Sequence, residues 1–134
     1  MSSQLLGWSA CVFILLSCSY SLFKRFKSIR SKINLPIKKL LDYHCTFCII
    51  ATILASIHVG LAFIHAGGNL SNIRFFTGYF SLLLLVLVTL IGILMKYFRK
   101  DTRHKKFWLN AHILLSIMLI GAILLHIFSY LLLQ

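Results

Sequence analysis

The sequence predicts an all-α protein, an integral membrane four-helix bundle, and three observations support this fold class. Of the 134 residues, 60% are hydrophobic and only 12% are charged, whereas about a quarter of a soluble domain is charged. The charged residues leave four long stretches that contain none, and the cations are concentrated in two of the three connections between these stretches. Such a composition argues against a soluble enzyme, a disordered chain and a nucleic-acid-binding domain.

Each uncharged stretch is long enough to cross a bilayer as one helix, which takes about 20 apolar residues. The predicted helices are, in chain order, about 5–23, 42–65, 75–97 and 107–132. The first stretch lacks a preceding basic segment and a clear small-residue cleavage site, so we expect a retained anchor and not a signal peptide. The whole chain, 1–134, is expected to form a single four-helix transmembrane domain.

The cations in the connections predict the orientation of the helices. Connection 24–41 holds seven Lys or Arg, connection 96–106 holds six, and connection 66–74 holds only Arg74. The positive-inside rule therefore places 24–41 and 96–106 in the cytoplasm, and 66–74 and both termini outside. Topology accounts for thirteen of the fourteen cations behind the net charge of +12. No nucleic-acid partner is expected, whereas membrane lipids with anionic headgroups are.

Four of the six histidines form two pairs with one spacing. His44 and His58 lie on the second predicted helix, His112 and His126 lie on the fourth, and 14 positions separate the members of each pair. Fourteen positions return a side chain to within about 40° of the same helix face, about 21 Å along the axis. Because both helices run from inside to outside in this topology, the pairs lie at matching depths. His44 and His112 are predicted near the inner boundary, and His58 and His126 near the outer one.

Two neutral imidazoles facing each other at one depth can fill both axial positions of a haem iron. The pairs therefore predict two stacked haems, an inner one on His44 and His112 and an outer one on His58 and His126. Small side chains on the second helix leave room for flat macrocycles, and the fourth helix offers a corresponding strip. These strips are Cys48, Ala51 and Ala55 on the second helix and Ser116, Leu119 and Ile123 on the fourth. Helix packing, a proton relay and another metal are the alternatives, because polar residues in a bilayer usually face the bundle interior.

This arrangement resembles the haem-binding core of membrane b-type cytochromes over residues 42–132. In the respiratory cytochrome b family, the second and fourth helices of a four-helix bundle carry the ligands of two haems in the motif His, thirteen residues, His. Ferric-reductase and NADPH-oxidase membrane domains use a similar pair of motifs. The resemblance implies two haem b groups and a subunit that carries electrons across the bilayer, exchanging with quinone or a partner redox subunit. The chain departs from these families in lacking the later helices that help to form quinol-oxidising sites and a flavin-binding domain, which leaves the redox partners open.

Other residues near the predicted haems have candidate roles. Arg74 is the one cation near the outer pair and is the candidate for contacting an outer haem propionate. His65 could replace His58 as a ligand or serve at the outer surface, although an interfacial histidine is the default interpretation. His104 lies in a solvated basic loop. Cys45 and Cys48 follow His44 as C-x-x-C, which is not the C-x-x-C-H order of covalent haem attachment. Buried apolar thiols are therefore expected, and redox chemistry by this pair is the alternative.

Two other classes of function remain as alternatives. One is a non-haem structural subunit of a membrane complex, with histidines used for helix packing. The other is a small proton or metal transporter lined by histidines, which the near absence of membrane carboxylates disfavours. On the preferred interpretation, the chain is an electron-transfer subunit of an oxidoreductase complex and not an independent enzyme.

Overall fold

A computed structural model describes residues 3–25, 37–65, 73–97 and 105–132, and every described residue is helical. The helices are α1 (Ser3–Arg25), α2 (Ile37–His65), α3 (Ile73–Tyr97) and α4 (Lys105–Leu132). The predicted all-α class and the order of four helices are confirmed for this part of the chain.

Three of the helices are long and apolar enough to cross a membrane. Their spans are Leu41–His65, Phe75–Lys96 and Lys106–Leu132. The described apolar part of α1, Ser3–Cys18, is shorter than the roughly 20 residues that a bilayer core requires. Membrane crossing by α1 therefore stays a prediction, as does the side of the membrane on which each connection lies.

Each helix begins earlier than the hydropathy pattern predicts. The helices α1, α3 and α4 begin at residues 3, 73 and 105, against predicted starts at 5, 75 and 107. The difference is larger for α2, which begins at Ile37 instead of 42, directly after Pro36 in the sequence. Proline lacks an N–H group and disfavours a helical conformation in the residue before it, so it is common where helices begin. Hydropathy marks the edge of the bilayer, whereas the helix extends as far as its backbone hydrogen bonds do.

Large apolar side chains point outward from the described helices, and small ones are buried. Leu15, Ile64, Phe76 and Leu125 are each at least 65% exposed. The buried set includes alanines and hydroxyl side chains, namely Ala10, Ser17, Ala51, Ser81, Thr89 and Ala122. Lipid solvates apolar side chains on the outside of a membrane protein, while small residues inside allow helix backbones to approach closely. This distribution is that of a membrane protein.

The chain divides into two compact units, residues 1–55 and residues 56–134, so the boundary falls within α2. The first unit holds α1 and most of α2, and the second holds the end of α2 together with α3 and α4. The candidate histidines are shared between the units: His44 belongs to the first, and His58, His112 and His126 belong to the second.

In the first unit, α1 packs against α2 in the antiparallel direction. The rings of Phe13 and Phe47 lie with their centroids 5.9 Å apart. The carbonyl oxygen of Ser17 lies 2.8 Å from the Nδ1 atom of His44. Residue 13 of α1 contacts residue 47 of α2, and residue 17 contacts residue 44, so the two helical segments run in opposite directions. His44 faces α1.

In the second unit, α3 and α4 form an antiparallel pair with two close approaches. Gly78 of α3 lies opposite His126 of α4, and Gly92 lies opposite His112. These two levels set the register of the helix pair along its length.

Aliphatic side chains close the α3–α4 interface between these levels. Leu85 lies midway between the two glycines, Leu119 lies midway between the two histidines, and each is 4% exposed. Leu84 and Val88 of α3 and Ala122 of α4 are also buried between these levels. Between the two histidine levels, the buried residues of α3 thus combine aliphatic side chains with the hydroxyl side chains of Ser81 and Thr89.

Candidate functional site

His44 is positioned by the backbone of α1. Its Nδ1 atom lies 2.8 Å from the carbonyl oxygen of Ser17, and the Ser17 hydroxyl donates to the carbonyl of Ile14 at 2.7 Å. A carbonyl only accepts hydrogen bonds, so Nδ1 must donate and must carry the proton. In a neutral ring with this tautomer, the lone pair is on Nε2. Metal-binding histidines commonly show this arrangement, with one ring nitrogen donating to a backbone carbonyl and the other available for the metal.

His126 is positioned by hydroxyl groups. Its Nδ1 atom lies 3.1 Å from the Oγ1 atom of Thr77 on α3. The Thr77 Oγ1 atom lies 3.3 Å from the Oγ atom of Ser129, whose hydroxyl donates to the backbone carbonyl of His126 at 2.8 Å. Polar contacts thus hold both the ring and the backbone of this histidine.

His112 lies on the same face of α4 as His126 and packs against α3. A Cβ atom added to Gly92 would lie 3.3 Å from the Cε1 atom of the His112 ring. The Nδ1 atom of this ring is buried and makes no hydrogen bond of its own, although the residue does interact elsewhere. Ser116, one turn further on, donates its hydroxyl to the His112 carbonyl at 2.7 Å. The His112 ring is therefore packed against the α3 backbone at Gly92.

His58 and His65 differ in their surroundings at the end of α2. His58 is half-buried and takes part in interactions within the protein. His65 is exposed in the last turn, and its Nδ1 atom donates to the carbonyl of Leu61 in the same helix at 2.7 Å. The default interpretation of His65 as an interfacial histidine stays a prediction.

Two other candidate residues fall wholly or partly outside the described part of the chain. Arg74 belongs to the first turn of α3, but its side chain lies outside that part, so its contact with a propionate stays a prediction. His104 lies outside it altogether.

The four cysteines are free thiols, each half-buried. Cys45 and Cys48, the C-x-x-C pair, are therefore not joined by a disulfide. Nearby on α2, Ala51 has no exposed surface. In the register of the first unit it lies level with Ala10 of α1, which is also buried. The small residues of α2 thus allow close helix packing at this level, and room for a macrocycle beside them stays a prediction.

Gly78 and Gly92 belong to the surroundings of the histidines, and the sequence prediction did not include them. A Cβ atom at Gly78 would lie 3.1 Å from the Cε1 atom of His126 and 3.5 Å from its Nδ1 atom, so the ring rests directly on the α3 backbone. The two glycines that meet histidine rings, Gly78 and Gly92, are 14 positions apart, as are the histidines they face. This repeated spacing was the signal in the sequence that could have identified them.

The donor chemistry of His44 is compatible with the haem that the sequence pattern predicts, and haem binding itself stays a prediction. With Nδ1 donating to the Ser17 carbonyl, the neutral form of the His44 ring has its lone pair on Nε2, which is the kind of donor that haem iron takes. Gly78 and Gly92 leave space that a Cβ would fill beside the rings of His126 and His112. In the described helices, no three His, Cys, Asp or Glu side chains converge as ligands of a single metal ion. That result concerns sites built from three or more protein ligands, as structural zinc requires, whereas a bis-histidine haem takes only two.

Comparisons with protein-family models, with curated proteins and with solved structures found no match to the chain. The class that the fold defines is a helical membrane protein with histidines on helix faces that pack against other helices. The resemblance to b-type cytochromes therefore rests on the histidine spacing in the sequence.

Proposed function

We propose that this chain is the membrane subunit of a redox complex, a b-type cytochrome that carries electrons across the bilayer through two bis-histidine haem b groups. His44 and His112 would hold the inner haem, and His58 and His126 the outer one. The observation that carries the proposal is the 14-residue histidine spacing, which occurs on two helices. Contacts between helices and histidine rings at both levels of α4 support it.

The chain's own residues would bind and orient the cofactors. The hydrogen bond from His44 to the Ser17 carbonyl holds the ring in one tautomer and turns the Nε2 lone pair away from α1. The glycines opposite His112 and His126 let these rings lie close to the α3 backbone. A haem, when bound, supplies an iron that cycles between its ferric and ferrous states.

Two imidazoles at each iron leave no open coordination position for oxygen or substrate. The protein would therefore relay electrons, and its partners would be quinone or another redox subunit at each side of the membrane. Arg74, on the predicted outer side, would contact a haem propionate. Such a chain is an electron-transfer subunit of an oxidoreductase complex and not an independent enzyme.

A reduced-minus-oxidised visible spectrum of the purified full chain tests the proposal. We expect the bands of low-spin b-type haem, with two haems per chain by pyridine haemochrome assay. A protein that is folded in native membranes yet colourless would contradict the proposal.

A substitution at His44 separates ligation from packing. His44→Asn keeps an N–H donor for the Ser17 carbonyl but removes the imidazole, so haem content should fall from two to about one per chain while the helices remain folded.

Replacing either His58 or His126 should remove the outer haem and spare the inner one. Loss of neither haem would point to His65 or to a different pairing.

Helix packing is the competing role, and specific contacts favour it. His44 bonds to α1 and His126 bonds to α3, so each histidine already links two helices. A non-haem structural subunit would use the same contacts. On that alternative, His44→Asn would be nearly neutral in thermal stability and the protein would carry no haem.

A further inference from the structure

The first two turns of α4 present polar groups on the outward-facing side of the helix. Lys106 and Asn110 are both exposed, and residues four positions apart are neighbours on one helix face. Phe107, Leu114 and Ile117 lie on the same side of α4, and each is at least 60% exposed. A helix surface that is apolar along most of its length thus begins with an ammonium group and an amide.

The positive charge at the start of α4 exceeds what the chain's own carboxylates can balance. The helix contains no Asp or Glu. Connection 96–106, which leads into it, holds six Lys or Arg and one carboxylate, that of Asp101. The positive-inside rule explains which side of the membrane these cations occupy, but it does not say which anion balances them.

Asn110 lies at a depth where an amide needs a hydrogen-bonding partner. It belongs to the apolar span Lys106–Leu132 and lies about 6 Å along the axis from Lys106. An exposed amide in hydrocarbon is costly unless it is hydrogen-bonded. Trp108 packs edge-on against Phe107, with ring centroids 5.6 Å apart, and tryptophan is enriched where the membrane meets water. Phospholipid phosphate and ester oxygens are the acceptors present at that depth.

We propose that Lys106 and Asn110 bind the headgroup of an anionic phospholipid, whose acyl chains lie along the exposed apolar side of α4. The ammonium group attracts the anionic headgroup, and the amide donates to a phosphate or ester oxygen. Gly121 lies further along the same side, and an added Cβ there would meet nothing within 4 Å, which leaves space for an acyl chain. This site does not require haem.

The two tryptophans of the chain allow the lipid beside each end of the protein to be identified. Trp8→Phe leaves Trp108, two positions from Lys106, as the reporter. Trp108→Phe leaves Trp8, in a stretch, 1–23, that contains no Lys or Arg.

Each variant of the full chain is reconstituted into vesicles with equal amounts of phosphatidylglycerol and phosphatidylcholine, and one of the two lipids carries brominated acyl chains. Bromine quenches tryptophan fluorescence on contact. The signal is divided by that in unbrominated vesicles, which cancels any quenching by haem. The two quenching values then give the lipid preference at each tryptophan.

We expect brominated phosphatidylglycerol to quench Trp108 more strongly than brominated phosphatidylcholine, and the two lipids to quench Trp8 equally. One cation at the membrane surface strengthens the attraction of anionic lipid about fivefold. Lys106→Gln should therefore reduce the preference at Trp108 by up to about fivefold, and Lys106→Arg should keep it. Asn110→Leu is the matched control on the same face. It should leave the preference unchanged, because both lipids carry the oxygens to which Asn110 donates.

Equal quenching of Trp108 by the two lipids would overturn this inference, as would an unchanged preference in Lys106→Gln. A preference that is abolished by inorganic phosphate, but not by chloride at the same ionic strength, would assign the site to a free anion and overturn the assignment to lipid. A protein without haem would defeat the proposed electron transfer and leave these lipid measurements valid, whereas equal quenching would leave the electron-transfer proposal standing.

Discussion

Glycines at two positions of α3 allow histidine rings to contact its backbone. An added Cβ would lie 3.1 Å from the His126 ring at Gly78 and 3.3 Å from the His112 ring at Gly92. Both distances are shorter than ordinary van der Waals contact. At Gly60 and Gly121, an added Cβ meets nothing within 4 Å. The four glycines thus divide into two that make a close approach and two that offer a matched control.

Alanine substitution should separate these two groups. In a helix interior, Gly→Ala gains about 1 kcal/mol from backbone conformational preference. At Gly78 and Gly92 this gain is opposed by overpacking against an imidazole ring, a cost of about 1–3 kcal/mol. We expect Gly78→Ala to lower the unfolding midpoint relative to Gly121→Ala, as measured by circular dichroism in detergent micelles.

The histidine rings give a control for the glycine experiment. Removing the ring opposite Gly78, in His126→Ala, should abolish most of the cost of Gly78→Ala. Equal effects of alanine at Gly78 and at Gly121 would contradict the close approach.

The association of α3 with α4 depends on close packing more than on the removal of apolar surface from water. Lipid tails are as apolar as leucine, so a transmembrane interface gains little from removing apolar surface from its surroundings. Its stability comes from close contact, and we expect Leu85 and Leu119, which are both buried, to supply that contact between the two histidine levels.

Leu85→Ala should therefore destabilise the α3–α4 pair by creating a cavity. We expect a cost in the lower part of the range of about 2–5 kcal/mol that is typical of buried leucines, because only the packing contribution is lost. Leu83, on the same helix and 56% exposed, is the matched control. Similar unfolding midpoints for Leu85→Ala and Leu83→Ala in mixed micelles would show that the interface does not close around Leu85.

At the scale of the whole molecule, charge predicts how the helices lie in the membrane. Seven and six cations occupy connections 24–41 and 96–106, against one in connection 66–74. Translocating a basic connection across the membrane is disfavoured, which makes the distribution a marker of sidedness. An amino terminus on the outside also requires α1 to cross the bilayer, because an uncrossed α1 would place its two ends on the same side.

Cysteine labelling in intact cells tests this orientation. In a background with the four natural cysteines replaced by serine, Ser71→Cys should react with a membrane-impermeant maleimide from outside, and Asp101→Cys should react only after permeabilisation. Ser2→Cys, near the amino terminus, should label like Ser71→Cys if α1 crosses. Labelling of Ser2→Cys only in permeabilised cells would place the amino terminus inside.

The sequence by itself determined the class of the protein and the number of its helices. A backbone without water must satisfy its hydrogen bonds internally, and an uncharged stretch of about 20 residues does so as a helix. The helix ends were less predictable, as the start of α2 at Ile37 shows, because hydropathy reports the bilayer edge and not the backbone. The candidate histidines were also visible, since helical periodicity relates positions 14 apart on one chain segment.

What faces each histidine was decided by the tertiary structure alone. The partners of His44 and His126 include the Ser17 carbonyl and the Thr77 hydroxyl, which are separated from them in sequence by 27 and 49 positions. Periodicity describes one helix, whereas the rotation of a helix about its axis and its register against a neighbour follow from the packing of both surfaces. The equal spacing could have suggested pairing Gly78 with His126 and Gly92 with His112. The contacts themselves depend on the antiparallel packing of α3 against α4.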